Sequence, residues 1–344
     1  MEPGSNHARI LYPLLPAAAF QRRPSRVAYG AIHVVVFVAM GVLVREVPGL
    51  GWRLLASLVA GHSLMCLALF AHELSHGAIL SPGPLRSLLE LICWGPNLIA
   101  PTAWHSVHNR THHRYANTAG DPDRRFLTAE ATVGTRLYTS VFYPQGGRSW
   151  PNPLILFHFI PYVVKQTLGV LFPGSGPAFL IPARSTTSAR ERWRTGAELA
   201  FIAGLQWLVF LLSGGRWSGY LFMGPLALSW ASGILMAYVV TNHYANAVHE
   251  HADPLATTTS VIVPRLADWL HLRFSFHTEH HLFPSMDSRH FPSLSRLLLE
   301  RYPAEYHRVS FREAWRQAWR APAFVEISAA PDQAAAAPSK QGAL

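Results

Sequence analysis

The run Leu50-Gly-Trp-Arg-Leu-Leu-Ala-Ser-Leu-Val-Ala-Gly-His-Ser-Leu-Met-Cys-Leu-Ala-Leu-Phe-Ala71 passes without a break into His72-Glu-Leu-Ser-His76. Its apolar part is 22 residues long, close to the ~20 needed to cross ~30 Å of hydrocarbon. Two imidazoles four residues apart follow at its end, and that spacing puts both on one face of a helix. The stretch therefore predicts a membrane span that delivers two metal-ligating side chains to the bilayer surface.

Other apolar runs extend this reading in both directions. A first span is predicted from Arg26 to Val44 and the second from Leu50 to Ala71; the link Arg45–Arg53 is so short that the two form a hairpin. A third span, Ala197–Leu212, and a fourth, Trp217–Thr241, are joined by the tight link Ser213–Gly219. Leu85–Ala100 is punctuated by prolines at 82, 84, 96 and 101 and reads as re-entrant or interfacial. Leu154–Phe172 carries Pro161 and Lys165, and both spanning and interfacial readings are open there.

The predicted fold class is thus all-α and integral to the membrane, with four transmembrane helices in two hairpins and a cytoplasmic, helical, histidine-rich cap. Residues 1–26 form a cytoplasmic N-terminal segment, 27–321 the membrane domain, and 322–344 a disordered tail rich in Ala, Pro, Gln and Ser. The apolar stretch Ile10–Ala19 is broken by two prolines behind a thin basic region, which argues against a cleaved signal peptide. Near the C-terminus, Phe311, Trp315 and Trp319 recur every four residues, each followed by an arginine. Such a helix suits either the lipid interface or packing against the cap.

Composition agrees with the membrane class. Half of the residues are hydrophobic and only 14% are charged, against about a quarter in soluble domains. The net charge is +10, carried almost wholly by arginine, since Lys165 and Lys340 are the only lysines. No basic stripe with interleaved aromatics and no finger-type spacing appears, so nucleic acid is not an expected partner. Arg22, Arg23 and Arg26 precede the first span, and Arg110, Arg114, Arg124, Arg125, Arg184, Arg190, Arg192 and Arg194 lie between the hairpins. The hairpin tips hold only Arg45, Arg53 and Arg216. The positive-inside rule then places both termini and every histidine cluster in the cytoplasm. Cys66 and Cys93, the only cysteines, read as buried small hydrophobes.

Two more clusters join the first: His108-Asn-Arg-Thr-His112-His113 and His277-Thr-Glu-His280-His281. Imidazole suits iron, zinc, copper and nickel. Helical spacing sends His108 and His112 to one ion and turns His113 toward a second, and His277, His280 and His281 repeat the device. Eight imidazoles gathered at a membrane edge carry a large desolvation cost unless paired or metallated. The fourth span ends in Thr241-Asn242-His243, so His243 emerges at the same edge as a further ligand, and Asn242 is a candidate to bind metal through water. His249 and His251 are expected to leave the site. His33, His62 and His158 take packing or hydrogen-bonding roles, and His7, His290 and His307 are expected in solvent.

Together the three clusters resemble the membrane fatty acyl desaturase and hydroxylase superfamily. The resemblance rests on His72-Glu-Leu-Ser-His-Gly77, Trp104 ahead of His108-Asn-Arg-Thr-His-His-Arg-Tyr-Ala-Asn117, Gly120-Asp-Pro-Asp123, and Phe276-His-Thr-Glu-His-His-Leu-Phe-Pro-Ser285. It covers roughly Val27 to Pro303. Many relatives carry Gln where this chain has His277, and histidine there adds a ligand. The resemblance implies two iron ions held by His72, His76, His108, His112, His113, His277, His280 and His281, with His243 less surely aligned. It implies Asp121 and Asp123 as acceptors that orient ligand imidazoles, an Asx turn around Pro122 being the plainer reading. Trp104 is implied either in the acyl path or as an interfacial anchor.

The activity implied is dioxygen-dependent introduction of a double bond into a fatty acyl chain carried on lipid, coenzyme A or a carrier protein. Hydroxylation or acetylenic-bond formation on the same scaffold is the nearest alternative. No haem-binding His-Pro-Gly-Gly stretch and no cysteine cluster is present, so electrons come from a separate ferredoxin or b-type cytochrome with its reductase. Two unrelated readings compete. His72-Glu73-Leu-Ser-His76 also fits the zinc protease pattern H-E-x-x-H, with Glu73 activating water, but this leaves the other clusters idle. A metal carrier would need ionisable residues along the middle of the spans, and none recurs there.

Overall fold

The computed structural model describes residues 6–143, 153–173 and 187–328. Arg184 and the tail from residue 329 onward lie outside the described residues.

Among the described residues, four helices are long and apolar enough to cross a membrane: Pro24–Glu46, Leu50–Ser75, Ala189–Leu212 and Trp217–Tyr244. The second does not stop at Ala71 but continues one more turn to Ser75, so His72 lies within it. It ends in a Schellman turn: Gly77 takes φ 78°, its N–H reaches the Leu74 carbonyl at 3.0 Å, and the Ala78 N–H reaches that of Glu73 at 3.3 Å. Only glycine adopts this backbone without strain, so the stop falls just after the second histidine.

The third span begins eight residues earlier than expected, at Ala189 rather than Ala197. Its charged first turns are helical because Ser188 and Glu191 form a reciprocal capping box. In the fourth span, Pro225 cannot donate to the helical ladder, and the backbone widens into a π turn at Phe222–Leu226. A second π turn, Val240–Tyr244, ends the span and carries His243.

The second and fourth spans form the centre. A methyl group on Gly61 would stand 2.5 Å from the Ala227 carbonyl oxygen and 2.5 Å from Trp230 Cβ, so glycine permits the close approach. Met65, Phe70, Trp94, Met223 and Leu235 fill the core around that contact. The first span packs along the second and turns Ile32, Val35 and Val42 outward. The third does likewise with Trp207, Leu208 and Leu211. Apolar faces of this extent suit hydrocarbon rather than water.

Phe159–Leu171 has 13 residues, or about 20 Å of helix at 1.5 Å per residue, which is short of the ~30 Å core. Pro84–Trp94 is shorter still, at 11 residues.

The all-α expectation needs one correction. Among the described residues, three short parallel strand pairs tie distant segments together: Phe126–Leu127 with Phe324–Val325, Val248–His249 with Ile327–Ser328, and Ser260–Ile262 with Arg308–Ser310. Two of them use Phe324–Val325 and Ile327–Ser328, which lie in the stretch expected as a tail. Strands of two or three residues show no period that a sequence can reveal.

Candidate metal centre

Four segments bring nine histidines together: the last turn of the second span and the Ser75–Gly77 stop behind it, the π-helical turn His105–His112 with His113 after it, the helix His277–Leu282, and the π turn Val240–Tyr244. They sort into two groups. In the first, one nitrogen from each of His72, His76, His108, His113 and His280 lies within 4.8 Å of all the others. His72 Nε2 stands 2.9 Å from His108 Nε2, His108 Nε2 3.2 Å from His113 Nε2, and His113 Nε2 3.2 Å from His280 Nε2. The second group holds His112, His243, His277 and His281 within the same limit. There His277 Nε2 is 2.6 Å from His243 Nε2 and 3.1 Å from His281 Nε2.

The sorting corrects one expectation. His108 and His112 do not share a group of imidazoles and meet only in a smaller set with Asp123. The backbone from His105 to His112 is π-helical, and its i→i+5 bonding brings residues five apart over one another. His108 is therefore paired with His113, and His112 turns to the other group. In the α-helical third cluster, His277 and His281 stay together and His280 crosses over.

The donor set fits a metal. A neutral imidazole nitrogen offers one lone pair or one N–H. His108 Nε2 and His113 Nε2 each face two other Nε2 atoms, which no assignment of hydrogen bonds satisfies. Lone pairs converging on cations do satisfy it. His76 Nε2 is buried without any hydrogen-bond partner. Burial, followed by the neighbouring imidazoles, pushes His76, His108, His113, His277, His280 and His281 well below the ordinary histidine range. Each is thus neutral at pH 7, with a lone pair to give.

His112 is the exception. Burial opposes its charge, but Asp121 and then Asp123 raise it to about 9. Its Nδ1 donates to Asp121 Oδ1 at 2.9 Å and lies 3.5 Å from Asp123 Oδ2, which leaves Nε2 for the cluster. Asp121 also accepts from the Asp123 backbone N–H at 2.8 Å and from that of Asn117 at 2.7 Å. The Asx turn and the imidazole acceptor are therefore the same residue in two roles. Asn117 adds side-chain hydrogen bonds to the carbonyls of His243 and Thr257, tying this loop to the end of the fourth span. Asn242 is fully buried, and neither of its side-chain amide atoms has a partner among the described residues. Glu279, between the third-cluster histidines, accepts from Ser260 at 2.6 Å and from the Tyr306 hydroxyl.

Sequence reasoning missed His105 and Glu90. Glu90 is buried and accepts from Arg86 at 2.7 Å and His105 at 2.8 Å. Asn109 reaches from beside His105 to the Ser75 carbonyl. This braces the second cluster against the first. A lone acid in an apolar helix was the available signal. His7, expected in solvent, is half-buried between Asp253 and Glu305. His249 and His251 join neither group. Glu73 is also outside both, its carboxylate bound by Arg26, which reaches Asp287 at 3.1 Å as well.

A narrow cavity reaches both groups. His72, His108, His112, His243 and His277 line one part of it, and Leu69, Leu235, Met236, Val239 and Phe274 its apolar wall. Trp104 is in this wall, stacked on His108 with ring centroids 4.3 Å apart and tilted against Trp94 at 4.5 Å. The ammonium of Lys165 and the hydroxyl-bearing rings of Tyr143 and Tyr162 line the same space.

Four membrane-length helices, two histidine groups and an apolar cavity between them have a counterpart among known families. The model of the fatty acid desaturase family matches residues 48–313, about three quarters of the chain. No curated protein matches the chain closely enough to be named beside it. The chain belongs to the fatty acid desaturase family, a family of membrane oxidoreductases with histidine-ligated metal that act on lipid acyl chains.

Proposed function

We propose that the chain is a fatty acyl desaturase that uses dioxygen at two iron ions, one in each histidine group. The observation that carries this reading is the division of nine convergent imidazoles into sets of five and four beside an apolar cavity. One zinc needs about four ligands, so nine favour two ions, and imidazole without thiolate suits iron. The irons would supply the redox chemistry. The net reaction converts –CH2–CH2– to –CH=CH–, with dioxygen taking two hydrogens from the chain, two protons and two external electrons to give two waters.

The protein's part is placement. Asp121 fixes the His112 ring, Trp104 and Trp94 set the width of the acyl path, and Leu235, Met236 and Val239 keep the reacting carbons dry. Asn242, next to His243 in the chain and with both side-chain amide atoms buried and unpartnered among the described residues, would hold a water. The positive-inside pattern supports a cytoplasmic site and cytoplasmic termini. A groove lined by Arg86, Arg110, Arg190 and Arg194 offers an acidic ferredoxin or b-type cytochrome a surface close to His105. Turnover with such a donor should fall steeply with salt.

The binding of Glu73 by Arg26 argues against the protease reading, because the carboxylate is engaged away from both groups. Alkene and alcohol formation use the same ligands and differ in the product. The test is expression in a desaturase-free host, with metal analysis of the purified protein and gas chromatography of the lipids. About two irons per chain and new double bonds are expected, with one iron and the double bonds lost in His277→Ala. Oxygenated lipid without new double bonds would replace desaturation by hydroxylation. One zinc per chain, with peptidase activity lost in Glu73→Gln, would sink the proposal.

A further inference from the structure

We infer that the groove between the fourth span and the helix Phe311–Arg320 is a binding site for an anionic phospholipid. The groove is about 1160 Å³. Leu156, Trp230, Ile234 and Val263 form one wall, and Phe311, Trp315 and Trp319 the other. Arg312, Arg316 and Arg320 also line it, one step beyond each aromatic along the helix. Ala314 and Ala318 are fully buried, and the helix packs on Val240–Tyr244 at the end of the span. Its aromatic row and its arginine row therefore border one space.

The site is separate from the cavity at the histidines. Leu235, Met236 and Val239 face that cavity, whereas Ile234, Ala237 and Tyr238 face the groove, so one helix serves both with opposite sides. Along the span the groove is lined from Trp230 to Tyr238, roughly 12 Å at 1.5 Å per residue. A single leaflet is about half of the ~30 Å hydrocarbon core. The groove thus runs along the depth of one leaflet with its cations at the histidine-bearing end.

Charge selects the occupant. Arg316 is paired with Glu313. Arg312 and Arg320 are exposed and have no ion pair or hydrogen bond among the described residues. A neutral lipid would fill the apolar walls and leave both guanidinium groups unanswered. A lipid with an anionic headgroup lays its acyl chains along Trp230 and Ile234 and its phosphate across Arg312 and Arg320. Each arginine near an anionic surface favours anionic lipid several-fold, so two unpaired ones should give a preference of about tenfold or more.

The test is native mass spectrometry of the full chain released from nanodiscs of equimolar phosphatidylglycerol and phosphatidylcholine. Retained phosphatidylglycerol should exceed phosphatidylcholine about tenfold, and the ratio should fall to near one in the Arg312→Gln/Arg320→Gln protein. Arg296→Gln/Arg301→Gln, on a different helix, should keep the wild-type ratio. Trp315→Ala should lower retention of both lipids alike. If the double variant fails to fold, raising the salt during release must lower the wild-type ratio, as screening requires. Equal retention of the two lipids by the wild type, or an equal fall in the control protein, overturns the assignment.

Discussion

The two histidine groups lie side by side and are built on different plans. The five-member group draws only on the three clusters; among the described residues no ring in it is hydrogen-bonded to a carboxylate, although Asp123 lies within 4.8 Å of His108 and Glu90 braces the group through His105 and Asn109. The four-member group takes His243 from a membrane span and has Asp121 on the remote nitrogen of His112. If each group holds one ion, as proposed, the first has an imidazole in reserve and the second has none. The two groups should therefore differ in tolerance of substitution, through the number of rings and through what stands behind them.

The largest expected effect would break this contrast most directly. His277→Ala leaves three imidazoles and should remove one metal per chain, with turnover down by more than about 100-fold, since even outer partners of a ligand are worth 10–100-fold. His76→Ala leaves four imidazoles in its group and should retain both metals with a smaller loss. Elemental analysis and lipid product assays read both; equal metal loss in the two variants would mean that the groups are equivalent.

Asp121→Asn sharpens the contrast one level out. It should weaken metal retention in the four-member group by about 10–100-fold and leave the other group loaded. Stepwise removal with a chelator would resolve the two pools, and uniform loss would contradict the asymmetry. Glu90→Gln should act on the five-member side through its brace. It removes a buried charged acceptor from Arg86 and His105, for about 1–3 kcal/mol of stability, seen as a lower Tm with metal content unchanged.

The smallest effect concerns Lys165, in the cavity wall near Asp123. Burial, only partly offset by Asp123, pushes its ammonium down to about 8, below the ordinary lysine value. Between about pH 8 and 10.5 the unfolded chain then binds more protons than the folded one, so stability should rise with pH across that window. Thermal unfolding of the wild type should shift upward there, and Lys165→Met should abolish the shift. A parallel profile for the two proteins would show that the ammonium is not buried.

The spans were readable because twenty apolar residues in a row have one physical destination. His72 and His76 were readable as a pair because their helix is a regular α-helix closed by Gly77. His108 and His112 were misassigned because the α period does not hold over His105–His112. Glu90 and His105 were passed over because a single buried ion pair has no sequence period. The strand pairs at residues 324–328 were invisible for the same reason.

The chain's order of residues by itself determined that it enters a membrane, where the four spans lie, and that imidazoles collect at their ends. Those properties depend on local composition and on spacing within one helix. Tertiary structure alone decided which ring joins which group, that His243 completes the second, and that Asp121 stands behind only one of them. Such choices depend on how far each turn rotates and on which distant segment arrives beside it, and neither is encoded within a single helical period.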